Sequence, residues 1–165
     1  MAHPKSLKDL FVTNLRRVYD AEQRLVKTLP KMRDAAKSEE LKHAFQTHLE
    51  ETELHVDRLD QIFGWLDEKP KALTCESIKG ILEDGKYVMD LDAEAAVNDA
   101  ALIAAAQEAE HFEIASYGTL RTWATVLGNT EAMQVLEVTL EEEKNADALL
   151  TNIAGTLNLR AAHAD

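Results

Sequence analysis

Four long stretches of this chain carry apolar side chains at a 3.6-residue period, and each inward row is broken near its middle by ionisable residues. That pattern commits the chain to helices packed around a centre that is not apolar. The first row is Leu7, Phe11, Leu15, Val18, Glu22, Leu25, Leu29, Met32 and Ala36. The second is Leu41, Phe45, His48, Thr52, His55, Leu59, Ile62 or Phe63, and Leu66. The third is Asp99, Ile103, Ala106, Glu110, Glu113, Tyr117, Leu120 and Ala124. The fourth is Met133, Leu136, Leu140, Glu143, Asp147, Leu150, Ala154 and Leu157.

Punctuation sets the ends of these rows. Only 3 prolines and 6 glycines occur, and they fall mainly where helices should start or stop. A helix is predicted over 6–37, capped by Ser6, with a kink or break near Thr28 to Leu29 because Pro30 lies inside it. A second is predicted over 38–66, capped by Ser38; a third long one over 93–127; and a last over 130–157 after a Gly128-Asn129 turn. The tail from Asn158 to Asp165 is expected to fray. Between the second and third long helices, the stretch Asp67 to Asp92 holds Pro70 and the run CESIKGILEDGKYVM, read as a long crossover with one short helix over 76–89. Two helical hairpins joined by a long crossover describe one all-α domain over 1–165, a ferritin-like four-helix bundle. An up-down-up-down bundle would need no such connector.

Composition narrows the function. With 30 acidic and 18 basic residues the net charge is -12, and Lys and Arg are scattered along the chain, so nucleic acid is a poor partner. No run approaches the ~20 apolar residues that span a bilayer. The polar opening MAHPKSLKDL carries no secretory signal, and a cytoplasmic protein is expected. A lone Cys75 excludes an internal disulfide, a cysteine zinc knuckle, an iron–sulfur cluster and a rubredoxin-type electron path within the chain.

Facing and level then select residues. At about 100° per residue, Glu22, His48, His55, Glu110, Glu113, Glu143 and Asp147 lie close to the centre of their apolar stripes, with Glu51 at an edge. Glu50, Glu108 and Glu142 point away and read as solvated charges. Glu22, Glu51, Glu110 and Glu143 sit near the middles of their helices, so a bundle brings them to one level. Buried ionised carboxylates cost several kcal/mol each unless compensated, and two divalent cations would compensate them. A carboxylate-rich set with imidazole suits iron or manganese. The spacing departs from the Glu-x-x-His pattern of such bundle centres, since Glu51 and His55 are four apart. The strict match, Glu108 to His111, has its Glu outside. The expected ligand set is therefore one His and six acids: Glu22, Glu51, His55, Glu110, Glu113, Glu143 and Asp147.

Simpler readings exist for several of these. His48, below His55 on the same row, reads as a core histidine beside the site or as a further ligand of it. Arg17, Arg24, Arg121 and Lys144 are available to pair with one or two of the acids, though not with all. Tyr117, one turn from Glu113, is a core tyrosine or a hydrogen-bonding neighbour of the site. Cys75 reads equally as a buried small residue or a reactive thiol, and His111 as a hydrogen-bonding neighbour of the site or a solvent-exposed residue.

The segments LKDLFVTNLRRVYDAEQRL, HLEETELHVDRLDQIF, CESIKGILEDG, ALIAAAQEAEHFEIASYGTLRTWA and LEEEKNADALLTNIA resemble the YciE/YciF family of small ferritin-like proteins over nearly the whole chain. The resemblance implies a ferritin-like bundle, a homodimer, a di-metal centre at Glu22, Glu51, His55, Glu110, Glu113, Glu143 and Asp147, and a link to stress responses. It names no reaction. Candidate dimer-face residues are Val126, Leu127, Ile81 and Leu82. Three functions compete: a di-iron or di-manganese oxidoreductase acting on oxygen or peroxide, a non-enzymatic stress protein whose polar core only fixes the bundle, and iron storage, for which nothing predicts a cage.

Overall fold

The computed structural model describes residues 4–164, and among them it contains five helices and no strand. They are α1 (Leu7–Ala35), α2 (Glu39–Trp65), α3 (Glu76–Met89), α4 (Ala95–Val126) and α5 (Thr130–Ala161). The Ser6 hydroxyl accepts the Asp9 amide at 3.1 Å and starts α1. Asn129 does the same for α5, accepting the Ala132 amide at 3.0 Å, and Gly128 takes the left-handed φ of 72° that reverses the chain before it.

Three local expectations are corrected. The break expected near Thr28 to Leu29 does not occur: α1 runs on through Pro30 to Ala35, with Leu29 and Met32 buried on either side of it. The Ser38 side chain makes no capping bond; the carboxylate of Asp99 on α4 instead accepts the amides of Lys37 and Ser38, both at 2.7 Å. The expected frayed tail is helical to Ala161, anchored by the buried Leu157.

Asp99 thus fastens the α1–α2 turn from a neighbouring helix, and it is buried with two charge-assisted bonds. Asp99→Ala is expected to cost about 2–4 kcal/mol and lower Tm by roughly 5–10 °C. Circular dichroism melts at matched metal content check this, and a shift below about 2 °C would contradict it.

Side-chain pairs give the topology. Tyr117 reaches Glu22 while Asp99 reaches Lys37 and Ser38, so α1 and α4 are antiparallel neighbours. Arg58 meets Thr139 and His55 meets Glu143, so α2 and α5 are antiparallel too. His48 lies against Glu110 and His55 against Tyr117, the same step in the same sense on both helices, so α2 and α4 run parallel across the diagonal. The connector therefore travels the length of the bundle, which is the ferritin-like connectivity. Within it α3 inserts Ile78 into the core, and the Cys75 amide donates to Asp20 of α1 at 2.9 Å.

The core is in two halves. One contains Leu25, Leu29, Phe45, Ile78, Leu102 and Ile153; the other contains Phe11, Leu15, Phe63, Leu120 and Leu136. The interrupted rows meet between them. Of the candidate dimer-face residues, Val126 and Leu127 are exposed, whereas Ile81 and Leu82 pack onto the first half-core. No helix among the described residues is long and apolar enough to cross a membrane.

Candidate metal centre

The layer between the half-cores takes Glu22 from α1, His48 and His55 from α2, Glu110 and Glu113 from α4, and Glu143 from α5, all buried. They form two groups whose donor atoms lie within 4.8 Å of one another: His48, Glu110, Glu113 and Glu143, and Glu22, His55 and Glu143. Glu143 belongs to both. Its Oε1 is 3.0 Å from His55 Nδ1 and its Oε2 is 3.8 Å from His48 Nε2. His48 Nε2 is also 3.2 Å from Glu110 Oε1, and His55 Nδ1 is 3.7 Å from Glu22 Oε1. The Tyr117 hydroxyl donates to that same Glu22 oxygen.

Most of these inward atoms lack a hydrogen-bond partner. Both oxygens of Glu113 and of Glu143, one each of Glu22 and Glu110, both nitrogens of His48 and Nδ1 of His55 are buried and unpaired. Buried polar atoms are normally satisfied, and a cluster of orphaned acceptors turned toward one another has the donor chemistry of a cation site. The cations available in sequence are spent elsewhere. Arg24 bonds Asp20, Arg121 bonds Glu137, Lys144 bonds Glu141, and Arg17 donates to the buried Cys75 Sγ at 3.7 Å.

A family model described as "Domain of unknown function (DUF892)" matches residues 6–163. The chain belongs to the DUF892 family. Protein YciF of Escherichia coli K12 is 43% identical over 151 residues, covering 91% of both chains. The crystal structure of the E. coli stress protein YciF is similar with a TM-score of 0.91 and 42% identity, covering 93% of this chain and 98% of that one. YcfI of Rhodopseudomonas palustris matches with a TM-score of 0.86 and 40% identity, over 89% of this chain and 94% of its own.

In this DUF892 chain the layer differs from the expected set in three places. His48 is inside the first group and not merely beside it, so each group contains one imidazole. Glu51 stands at the rim, a third exposed, 3.6 Å from His48 Nδ1. Asp147 is clear of both groups: Gln107 donates to it at 2.9 Å and His111 Nδ1 lies 3.5 Å away. His111 itself is exposed, as one of its two readings had it.

Glu142 is the residue that facing alone misjudged. Its carboxylate turns in to His55 Nε2 at 2.9 Å and is gripped by both terminal nitrogens of Arg58. His55 is thereby oriented from behind, with Nδ1 presented to Glu22 and Glu143. The available signal was Arg58, three residues after His55 on the same edge of α2.

Electrostatics in the DUF892 layer follow from burial against charge. Burial alone would lower the His48 imidazole, yet Glu110, Glu51 and Glu143 raise it to about 9. His55 is likewise opposed by burial and raised to about 12 by Glu142, Glu143 and Glu22. Burial, with Glu143 and Glu22 adding to it, raises Glu110 to about 8 against the pull of His48. Burial and then Glu143, Glu22 and Glu110 push Glu113 well up, and burial with Glu22 does the same to Tyr117. Glu142 is the exception: burial would raise it, but His55 and Arg58 hold it down at about 2. A narrow cavity of ≈ 100 Å³ between α2 and α5 leads to His48 and Glu110, with Glu51, Ala146 and Leu149 on its walls.

Proposed function

We propose that this chain is a ferritin-like, metal-binding stress protein whose bundle core holds two iron or manganese ions at which oxygen or peroxide is reduced. The carrying observation is the layer of buried, mutually facing carboxylates and imidazoles, most of whose inward atoms have no hydrogen-bond partner. His48, Glu110, Glu113 and Glu143 would hold one ion, and Glu22, His55 and Glu143 the other, with Glu143 common to both. The ions would supply electrons by passing between divalent and trivalent states.

The chain's own side chains do the rest. The Tyr117 hydroxyl donates its proton in a hydrogen bond to Glu22 Oε1 and fixes that carboxylate. Glu142 and Arg58 set the His55 ring. The two half-cores exclude bulk water above and below the layer, and the cavity beside Glu51 admits only small molecules. The stress role rests on the likeness to YciF. A cytoplasmic homodimer is part of the same proposal, with the exposed Val126 and Leu127 in the contact.

A second reading is a structural protein whose polar layer only stabilises the bundle, which the description of the R. palustris relative suggests. Metal content separates them. Elemental analysis of protein purified without chelator, and again after anaerobic loading with Fe(II) or Mn(II), is expected to find about two ions per chain. No stoichiometric metal under either condition would sink the metal-centre reading and leave the structural one.

A further inference from the structure

Some of the basic side chains that are scattered in sequence meet in space. Five of the chain's 18 lysines and arginines line one cleft of ≈ 550 Å³ between α1 and α3, well outside the buried layer. Arg24, Lys27 and Lys31 form a stripe along α1, and Lys79 and Lys86 face them from α3. Two acids, Glu83 and Asp90, share the cleft. Arg24 is tied to Asp20 and Lys79 to Glu76, but Lys27, Lys31 and Lys86 have no ion-pair partner among the described residues.

This concentration runs against the chemistry of the rest of the surface. Lys27 and Lys31 are a like-charge pair one turn apart, which destabilises a helix, and a second cationic row opposes them across the gap. Four carboxylates stand in or beside the cleft, but Asp20 and Glu76 are taken up by Arg24 and Lys79, and neither Glu83 nor Asp90 closes an ion pair with Lys27, Lys31 or Lys86. The cleft is also braced. Asp20 holds both Arg24 and the Cys75 amide at the start of α3, so the two walls are fixed relative to each other. Leu82 and Met89 give it an apolar side.

We propose that this cleft binds a compact oligophosphate, a chain of linked phosphate groups either free or carried by a nucleoside. Ammonium groups on two facing walls of one cleft match several closely spaced negative charges, which no single carboxylate or monophosphate supplies. The size lies within the range of small-molecule pockets. A long polyanion is disfavoured, since beyond the cleft its backbone would meet a predominantly acidic surface. Leu82 and Met89 offer a nucleoside a place to rest, which a bare phosphate chain would leave unused.

Isothermal titration of the metal-stripped full chain with sodium tripolyphosphate, ATP, adenosine and inorganic phosphate tests this at low salt. Tripolyphosphate and ATP are expected to bind once per chain with Kd on the order of 0.1 mM, weakening as salt rises, and inorganic phosphate about tenfold more weakly. Adenosine alone should not bind. Tighter binding of ATP than of tripolyphosphate would make the ligand a nucleotide; equal binding would make it the phosphate chain itself. The combined K27Q, K31Q and K86Q variant should lose at least about tenfold in affinity. K5Q, K8Q and K42Q together, which remove the same charge elsewhere, should lose none, and circular dichroism verifies that both variants keep their helices. Failure of both phosphate chains to bind at about 5 mM, equal losses in the two triple variants, or equally tight binding of single-stranded DNA would overturn the proposal.

Discussion

Glu143→Gln is expected to remove both metal ions at once, whereas His48→Ala and His55→Ala should each remove one. The asymmetry comes from position. Glu143 is fully buried on α5, with one oxygen toward His55 and the other toward His48, and it alone belongs to both donor groups. Gln keeps the shape and discards the charge and one acceptor, so the helix should survive while both groups lose their common anion. Each His is confined to one group, and its loss leaves the other group's donors in place. Metal per chain after anaerobic loading gives the result directly: about two ions for wild type, about one for each His variant, and none for Glu143→Gln. A Glu143→Gln protein with its full complement would refute the shared role. A His48→Ala protein that kept two ions would return His48 to the core residue that its place on an apolar row first suggests.

The fold was legible because helix-period rows are long and punctuation is sparse. Ser6 and Asn129 cap by their own side chains, and such local signals are readable one residue at a time. The start of α2 was not, because the turn leading into it is held by Asp99, a residue distant in sequence and close only in the fold. The site divides along the same line. Glu22, His55, Glu110, Glu113 and Glu143 come together as facing and level imply, since both properties belong to a single helix. Asp147 shares the facing of Glu143 but lies a turn further along α5, where Gln107 takes its carboxylate. Glu142 lies off the inward row, and only the Arg58 of another helix pulls it to His55. The basic cleft is the plainest case. Its cations come from two helices separated by all of α2, and no window of sequence contains them.

Glu113→Gln should stabilise the metal-free protein and destabilise the metal-loaded one, relative to wild type. Glu113 is buried with neither oxygen bonded, facing Glu110, Glu143 and Glu22, and its carboxyl is pushed far above the ordinary range by that burial and those charges. Without metal, the group contributes only desolvation and repulsion or the cost of taking up a proton. Gln offers the same shape with no charge and can donate to a neighbouring carboxylate. A gain of about 1–3 kcal/mol, or roughly 3–8 °C in Tm, follows for metal-stripped protein. With metal the sign reverses. Ions that bind only the folded chain add stability by mass action, about 4 kcal/mol per site at a thousandfold excess over Kd, and the variant forfeits the site that Glu113 completes. Paired thermal melts, stripped and loaded, therefore distinguish a layer retained for a cation from one retained for packing. Were the layer only structural, Glu113→Gln would shift both melts in the same direction. A crossing of the two stability orders can arise only if the carboxylates are kept, at a cost to the empty bundle, for what they bind.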